Sequence, residues 1–319
     1  NTVVGDDIIN DAEHAQALVI SGTSTGGEAG DVVSVVLNGK TYTTTLDASG
    51  NWSVGVPAAD VAALGSGAQT ITASVSDRAG NSDDASRTVT VSLTAPVISI
   101  NTIAGDDVIN ATEKGSDLAL SGISDQPAGT AITVTLNGQN YSATTDSSGN
   151  WSVTVPASAV SALGEASYSV MASVTNAQGN SSTASHNVQV NTALPGVTIN
   201  PVTTDDIINA AEAGSAQTIS GQVTGAAAGS TVTVELGGKT YTATVQADLS
   251  WNVSVPAADW QALGNGELTV NASVTNAVGN TGSGTRDITI DASLPGLRVD
   301  TVAGDDVVNI IEHLSLIHI

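Results

Sequence analysis

Apolar and polar residues alternate along this chain in short runs that stop at Gly, Pro or Asn, the signature of half-buried strands. Between residues 96 and 194, Val97-Ile-Ser-Ile100 follows Pro96, and Leu118-Ala-Leu120 runs into a Ser-Gly pair. These predict the first two strands. Ala131-Ile-Thr-Val-Thr-Leu136 and Tyr141-Ser-Ala-Thr-Thr145 flank Asn137-Gly138, a two-residue hairpin signal because both turn positions favour positive φ. Trp151-Ser-Val-Thr-Val155 puts Trp151, Val153 and Val155 on one face and stops at Pro156. Residues 157–163, closed by Gly164, predict one or two helical turns that cross between sheets. Tyr168 to Thr175 and Ser185 to Val190 predict the last two strands, joined by the turn-forming Asn176-Ala-Gln-Gly-Asn180. Seven strands in about 100 residues predict an all-β fold, an immunoglobulin-like sandwich.

The same order recurs. The pattern Gly-Asp-Asp-x-x-Asn-x-x-Glu stands at residues 5–13 and 105–113, with Thr replacing Gly at 204–212, and again at 304–312. Its first aspartates, Asp6, Asp106, Asp205 and Asp305, are 100, 99 and 100 residues apart, a period of domain size rather than of a solenoid unit. Tandem domains in an extended array are expected at 1–95 (first strand truncated), 96–194 and 195–294, with a fourth begun at 295–319. Asn1 occupies the place of Asn101 and Asn200, so a piece of a longer protein is expected. Leu314 to Ile319 lack the Ser-Gly of the other repeats, and the terminal Ser315-Leu-Ile-His-Ile319 reads as translated adapter sequence.

Composition narrows the chemistry. The chain has no Phe and no Cys, so Val, Ile, Leu and Ala must build the cores, and neither disulfides nor thiolate metal sites are available. Trp52, Trp151 and Trp251 recur once per repeat on a strand face, as does a tyrosine at 42, 141 and 241; each predicts one large core anchor. Trp260 replaces Val61 and Val160 in the crossing segment and is expected to be partly exposed while filling local space. The 31 acidic residues against 7 Lys and Arg give a net charge of −24. A polyanion needs a basic surface, so nucleic acid and anionic membranes are excluded as partners, and divalent cations fit better. No apolar run approaches the ~18 residues of a membrane-spanning helix, and residues 1–30 lack the basic-then-apolar pattern of a signal peptide, so targeting information is expected outside this sequence.

Calcium takes six to eight oxygens, and paired carboxylates with loop carbonyls supply them. The candidate metal ligands are therefore Asp6, Asp7 and Glu13; Asp106, Asp107 and Glu113; Asp205, Asp206 and Glu212; and Asp305, Asp306 and Glu312. A second reading stands beside this one: Asn10 to Glu13, Asn110 to Glu113, Asn209 to Glu212 and Asn309 to Glu312 have capping-box spacing, in which Asn caps a helical turn and Glu bonds back to it. The histidines at 14, 186, 313 and 318 form no recurrent cluster, so zinc and iron lack support. Identical carboxylate pairs in every repeat also argue against a glycosidase, which needs two unlike acids in one cleft. No catalytic residues are expected.

Taken together, the acidic loop, the Asn-Gly hairpin, Gly-Asn-Trp-Ser-Val-x-Val-Pro at 149–156 and Asn-Ala-x-Gly-Asn at 176–180 resemble the bacterial immunoglobulin-like repeats of giant type I-secreted surface adhesins of the RTX and biofilm-associated kind. The resemblance covers the chain to about Glu312. It implies a non-enzymatic extender at the bacterial cell surface, outside the cell, stiffened by calcium at or near the junctions between neighbouring repeats. A host or abiotic surface would be gripped by regions outside this sequence, in cell adhesion and biofilm formation. Thr204 in place of Gly, and Ser92 where Asn191 and Asp291 stand in later repeats, depart from the family pattern. A repeat surface that itself binds carbohydrate or a host protein, with Trp260 contributing, is the alternative.

Overall fold

The run at Ala131–Leu136 forms a strand with Ile132, Val134 and Leu136 buried and the residues between them turned outward, as period-two alternation requires. A computed structural model gives the fold and describes residues 1–298. Asp300, Asp305, Asp306, Asn309, Glu312 and the 314–319 tail lie outside the described residues. Two compact units divide the chain, Asn1–Thr192 and Ala193–Ile319. The first contains two separate apolar cores, one centred on Val35, Val61 and Val89, the other on Leu120, Val134 and Val170. The second contains one, around Ile219, Val234 and Val270.

In the second repeat, a five-stranded sheet runs in the order Gln139–Thr144, Ala131–Leu136, Ser167–Thr175, Ser181–Val190, Val108–Ile109. A three-stranded sheet of Asn150–Val155, Leu118–Ser124 and Ile98–Ile100 completes the sandwich. The third repeat has the same two sheets. In the first, Leu18–Thr23 and Asn51–Val56 form a two-stranded sheet opposite the five. Asn137 takes φ 48° at the hairpin, as Asn38 does, the backbone demanded by a tight turn between right-twisted strands.

Three elements differ from the sequence-based expectation. Leu118–Ser124 continues through the Ser-Gly pair, because Gly122 has a cross-strand partner on both sides, Ile100 and Trp151. The last strand starts at Ser181, earlier than the apolar alternation, since Ser181 to Ala184 pair with Ala172 to Thr175 along the backbone ladder, with Ser181 Oγ and Thr175 Oγ1 also bonded at 2.8 Å. An eighth strand, Val108–Ile109, lies inside the acidic motif and runs parallel to Gln189–Val190.

Trp151 and Trp251 are core residues, 2% and 1% exposed, whereas Trp52 is half-buried. Trp260 corrects an expectation: it is 0% exposed. The short helix Ala257–Gln261 turns its ring into the core, where Val61 and Val160 stand in the first two repeats.

Candidate functional site

The acidic turn is built where the backbone enters the left-handed region. Asp7, Asp107 and Asp206 have φ of 64°, 64° and 59°, a conformation Asp tolerates because its short side chain bonds local backbone. The Oδ1 of each accepts the N–H four residues earlier, from Val3 at 2.8 Å, Ile103 at 2.8 Å and Val202 at 3.0 Å. The carbonyl of the same residue accepts an N–H from the last long strand, given by Thr90, Gln189 and Thr289 at 2.8, 2.9 and 2.9 Å.

That strand also supplies a nitrogen partner for the same carboxylate. Arg87 Nε donates to Asp7 Oδ1 at 2.7 Å, His186 Nε2 meets Asp107 Oδ1 at 2.7 Å, and Arg286 Nε donates to Asp206 Oδ1 at 2.9 Å. The second aspartate is thus a hub that fastens the loop to the last strand. The following apolar pair then adds as a parallel strand, with Ile9, Ile109 and Ile208 fully buried.

The electrostatics follow from these contacts. The Arg87 guanidinium, helped by the Val3 N–H, lowers the Asp7 carboxyl to about 2. Arg286 lowers Asp206 in the same direction, while at Asp107 the Ile103 N–H is the larger cause and His186 the second. Elsewhere, Lys40 with Asp60 and Lys239 with Asp259 form further pairs. Tyr42 and Tyr241 donate to those aspartates at 2.8 Å, and burial with the adjacent carboxylate raises both phenols to about 12.

The first aspartates are placed differently. Asp6, Asp106 and Asp205 are exposed, and each bonds through Oδ1 to the N–H two residues on, at 3.0, 3.0 and 3.1 Å. Their Oδ2 atoms lie outside these bonds. Glu13, Glu113 and Glu212 are caps: Oε2 accepts the N–H of Asn10, Asn110 and Asn209 at 3.1, 3.0 and 3.0 Å. The asparagine Oδ1 accepts the glutamate N–H in return at 3.1, 3.1 and 3.0 Å.

Among the described residues, no group of three or more His, Asp or Glu side chains converges to hold a metal ion. Asp7 and Asp206 would reach a cation only on release from Arg87 and Arg286, which hold both carboxylate oxygens, whereas the bonds to Asp107 engage Oδ1 alone and the caps engage Oε2 alone. As arranged, one repeat offers a cation the solvent-facing oxygens of its first aspartate and not a closed shell. The sugar-binding alternative cannot use Trp260 as its platform, since that residue presents no exposed ring face.

The nitrogen partners of the second aspartates are the residues that sequence reasoning missed. One signal for them exists: in a chain with only 7 Lys and Arg, Arg87, His186 and Arg286 hold one register across the repeats.

Comparison with known proteins places this geometry in a family. The family model described as bacterial Ig-like domain matches residues 6–93 and 94–192. No curated protein sequence matches. Among solved structures, a Ca2+-stabilized adhesin that helps an Antarctic bacterium reach out and bind ice is 37% identical. That match covers 91% of this chain and 73% of the adhesin chain, with a TM-score of 0.52. A 1.5-MDa bacterial ice-binding adhesin, in a structure concerned with host cell surface retention, is 32% identical. It covers 92% of this chain and 96% of its own, with a TM-score of 0.52. With its repeated sandwiches and the two consecutive matches of the family model, this chain belongs to the bacterial Ig-like domain family.

Proposed function

We propose that this chain is a non-enzymatic extender segment of a bacterial surface adhesin, acting outside the cell in attachment and biofilm formation. The observation that carries the reading is the 37% identity along 91% of the chain to an adhesin. The repeated architecture supports it: each core closes within one repeat, so added copies lengthen the molecule without altering its neighbours' folds. With strands of about seven residues at ~3.3 Å per residue, plus loops, one repeat spans roughly 40 Å.

Calcium belongs to the proposal through the acid excess. Lys40, Arg87, Lys239 and Arg286 are each committed to an aspartate of their own repeat, and the net charge of −24, which already counts every Lys and Arg, is left to counter-ions. Asp6, Asp106 and Asp205 are the ligands of choice, by their exposed oxygens. Asp7 and Asp206 are recruited only if calcium displaces Arg87 and Arg286, while Asp107 and the three described glutamates each keep one carboxylate oxygen outside their present bonds. The relative described as Ca2+-stabilized supports this assignment.

The test is a calcium titration of the whole chain, followed by small-angle scattering and thermal melting against a chelator control. Calcium is expected to raise both the maximum dimension and the melting temperature. If neither responds, calcium stiffening is abandoned.

A further inference from the structure

Asn180 is polar, 3% exposed, and bonded entirely outside its own sandwich through its side chain. Its Oδ1 accepts the N–H of Asp11 at 2.8 Å, and its Nδ2 donates to the carbonyl of Ser92 at 2.8 Å. Both partners belong to the preceding repeat: Asp11 opens the helical turn capped by Asn10, and Ser92 leaves the last strand. Four residues earlier, Asn176 Nδ2 donates to the carbonyl of Thr94 at 3.0 Å. Gly179 lies so close to Asn10 that a Cβ on it would come within 2.7 Å of Asn10 Nδ2.

The loop is held in shape for this contact. Asn176 Oδ1 accepts the N–H groups of Gln178 and Asn180 at 3.1 and 2.9 Å, which aims the Asn180 amide outward. Asn276 makes the corresponding bonds to Val278 and Asn280 at 3.2 and 2.9 Å, and its Nδ2 reaches the Ala193 carbonyl at 3.2 Å. Asn280 is 2% exposed. In the first repeat the loop reads Asp77-Arg-Ala-Gly-Asn81, and the Asn81 amide, exposed, folds back onto Asp77 Oδ2 at 2.7 Å.

We propose that the Asn176–Asn180 loop is the surface by which the second repeat docks the first. Its partner is the turn opened by the Asn-x-x-Glu motif together with the carbonyl that ends the last strand. Asn180 is the positioning residue. A neutral amide suits the site because it meets one donor and one acceptor at once, which neither a carboxylate nor an ammonium does. With both groups paired out of water, removal of either leaves a buried polar atom unsatisfied. The joint between the first two repeats is therefore held by an amide at its centre, independently of any divalent cation. This deepens the extender reading by locating a source of stiffness, and it is tested on joint geometry alone, without reference to adhesion.

The chain has no cysteine, so spin labels are introduced at two equivalent exposed positions, Thr43→Cys and Ser142→Cys, and the inter-label distance distribution is recorded in chelator and in calcium. The otherwise unaltered chain is expected to give one narrow distribution in chelator. Asn180→Asp keeps the shape and the acceptor but loses the donor to Ser92, and is expected to lose that narrow distribution in both conditions. Asp11→Pro attacks the joint from the other side: Pro suits the first position of a helical turn, so it deletes the one N–H given to Asn180 while the first repeat keeps its cap. It is expected to act as Asn180→Asp does.

Distributions as narrow in both variants as in the parent would overturn the proposal, as would a parent that is broad in chelator and narrow only in calcium. The second result would leave the calcium-stiffened extender standing; a narrow parent unaffected by calcium would remove calcium stiffening and leave the amide joint.

Discussion

Arg87 closes on the carboxylate of Asp7 from eighty residues away, and the pair fastens the acidic loop to the last strand of its repeat. Asp7 lies at about 2 because of that guanidinium and the Val3 N–H, below the ~3.9 of an unfolded aspartate. A folded value below the unfolded one means stability that is complete above ~4 and disappears as pH falls through the folded value. Arg87→Gln is therefore expected to move the Asp7 titration upward and to lower the melting temperature at neutral pH. The deficit should shrink below pH ~4, where the unfolded aspartate is protonated. Carboxyl chemical shifts and melts across pH check both; an Asp7 titration unmoved by the substitution would refute the clamp.

The glutamate of the motif acts by its hydrogen bonds rather than by its charge. Glu212→Gln preserves an acceptor for the Asn209 N–H and is expected to leave the melting temperature unchanged, in calcium and in chelator alike. Asn209→Ala deprives Ala211 and Glu212 of their acceptor and is expected to cost about 1 kcal/mol. Faster hydrogen exchange at those two amides should accompany it. A calcium-dependent defect in Glu212→Gln would instead make the glutamate a ligand.

The strands were legible wherever burial imposes alternation. Ile132, Val134 and Leu136 advertise a half-buried strand, and Asn137-Gly138 its turn. Val108–Ile109 was not legible: two residues carry no alternation, and the aspartates before them read as loop. Its pairing with Gln189–Val190 depends on Asp107, whose carbonyl fixes the register. The site was half legible for a related reason. Spacing within nine residues displays the cap of Asn110 and Glu113, because both members are local. His186 on Asp107 and Asn180 on Asp11 join residues 79 and 169 positions apart, and only the register between repeats carries a trace of such pairs.

Gly122 stands between Trp151 and Ile100 in the smaller sheet. A Cβ there would stand 1.9 Å from the Ser99 carbonyl oxygen and 2.5 Å from Trp151 Cζ2. Backbone cannot yield as a side chain does, so Gly122→Ala is expected to detach Ile98–Ile100 and destabilise the second repeat by about 1–3 kcal/mol or more. In the third repeat the equivalent Gly221 meets the Thr198 carbonyl oxygen at 1.8 Å and Trp251 Cζ2 at 2.8 Å, so Gly221→Ala is expected to lose a similar amount. A Cβ on Gly55 would have nothing within 4 Å, so Gly55→Ala should be near neutral. Denaturant unfolding checks the order; a loss for Gly55→Ala as large as for Gly122→Ala would disprove the backbone explanation.

Trp260 is a packing residue whose polar atom has no role. Its ring is 0% exposed, and Nε1 has no hydrogen-bond partner. Truncation to Ala should therefore cost about 3–5 kcal/mol, the range for a large buried aromatic. Phe retains much of the volume and omits the unpaired N–H, which costs free energy when buried alone. Trp260→Phe is thus expected to lose markedly less than Trp260→Ala by denaturant unfolding, and the parent's tryptophan fluorescence should be unaffected by soluble sugars. Equal losses for Phe and Ala would mean that the indole N–H has a partner after all. Quenching by a sugar that Trp260→Phe abolishes would restore the ring as a binding surface.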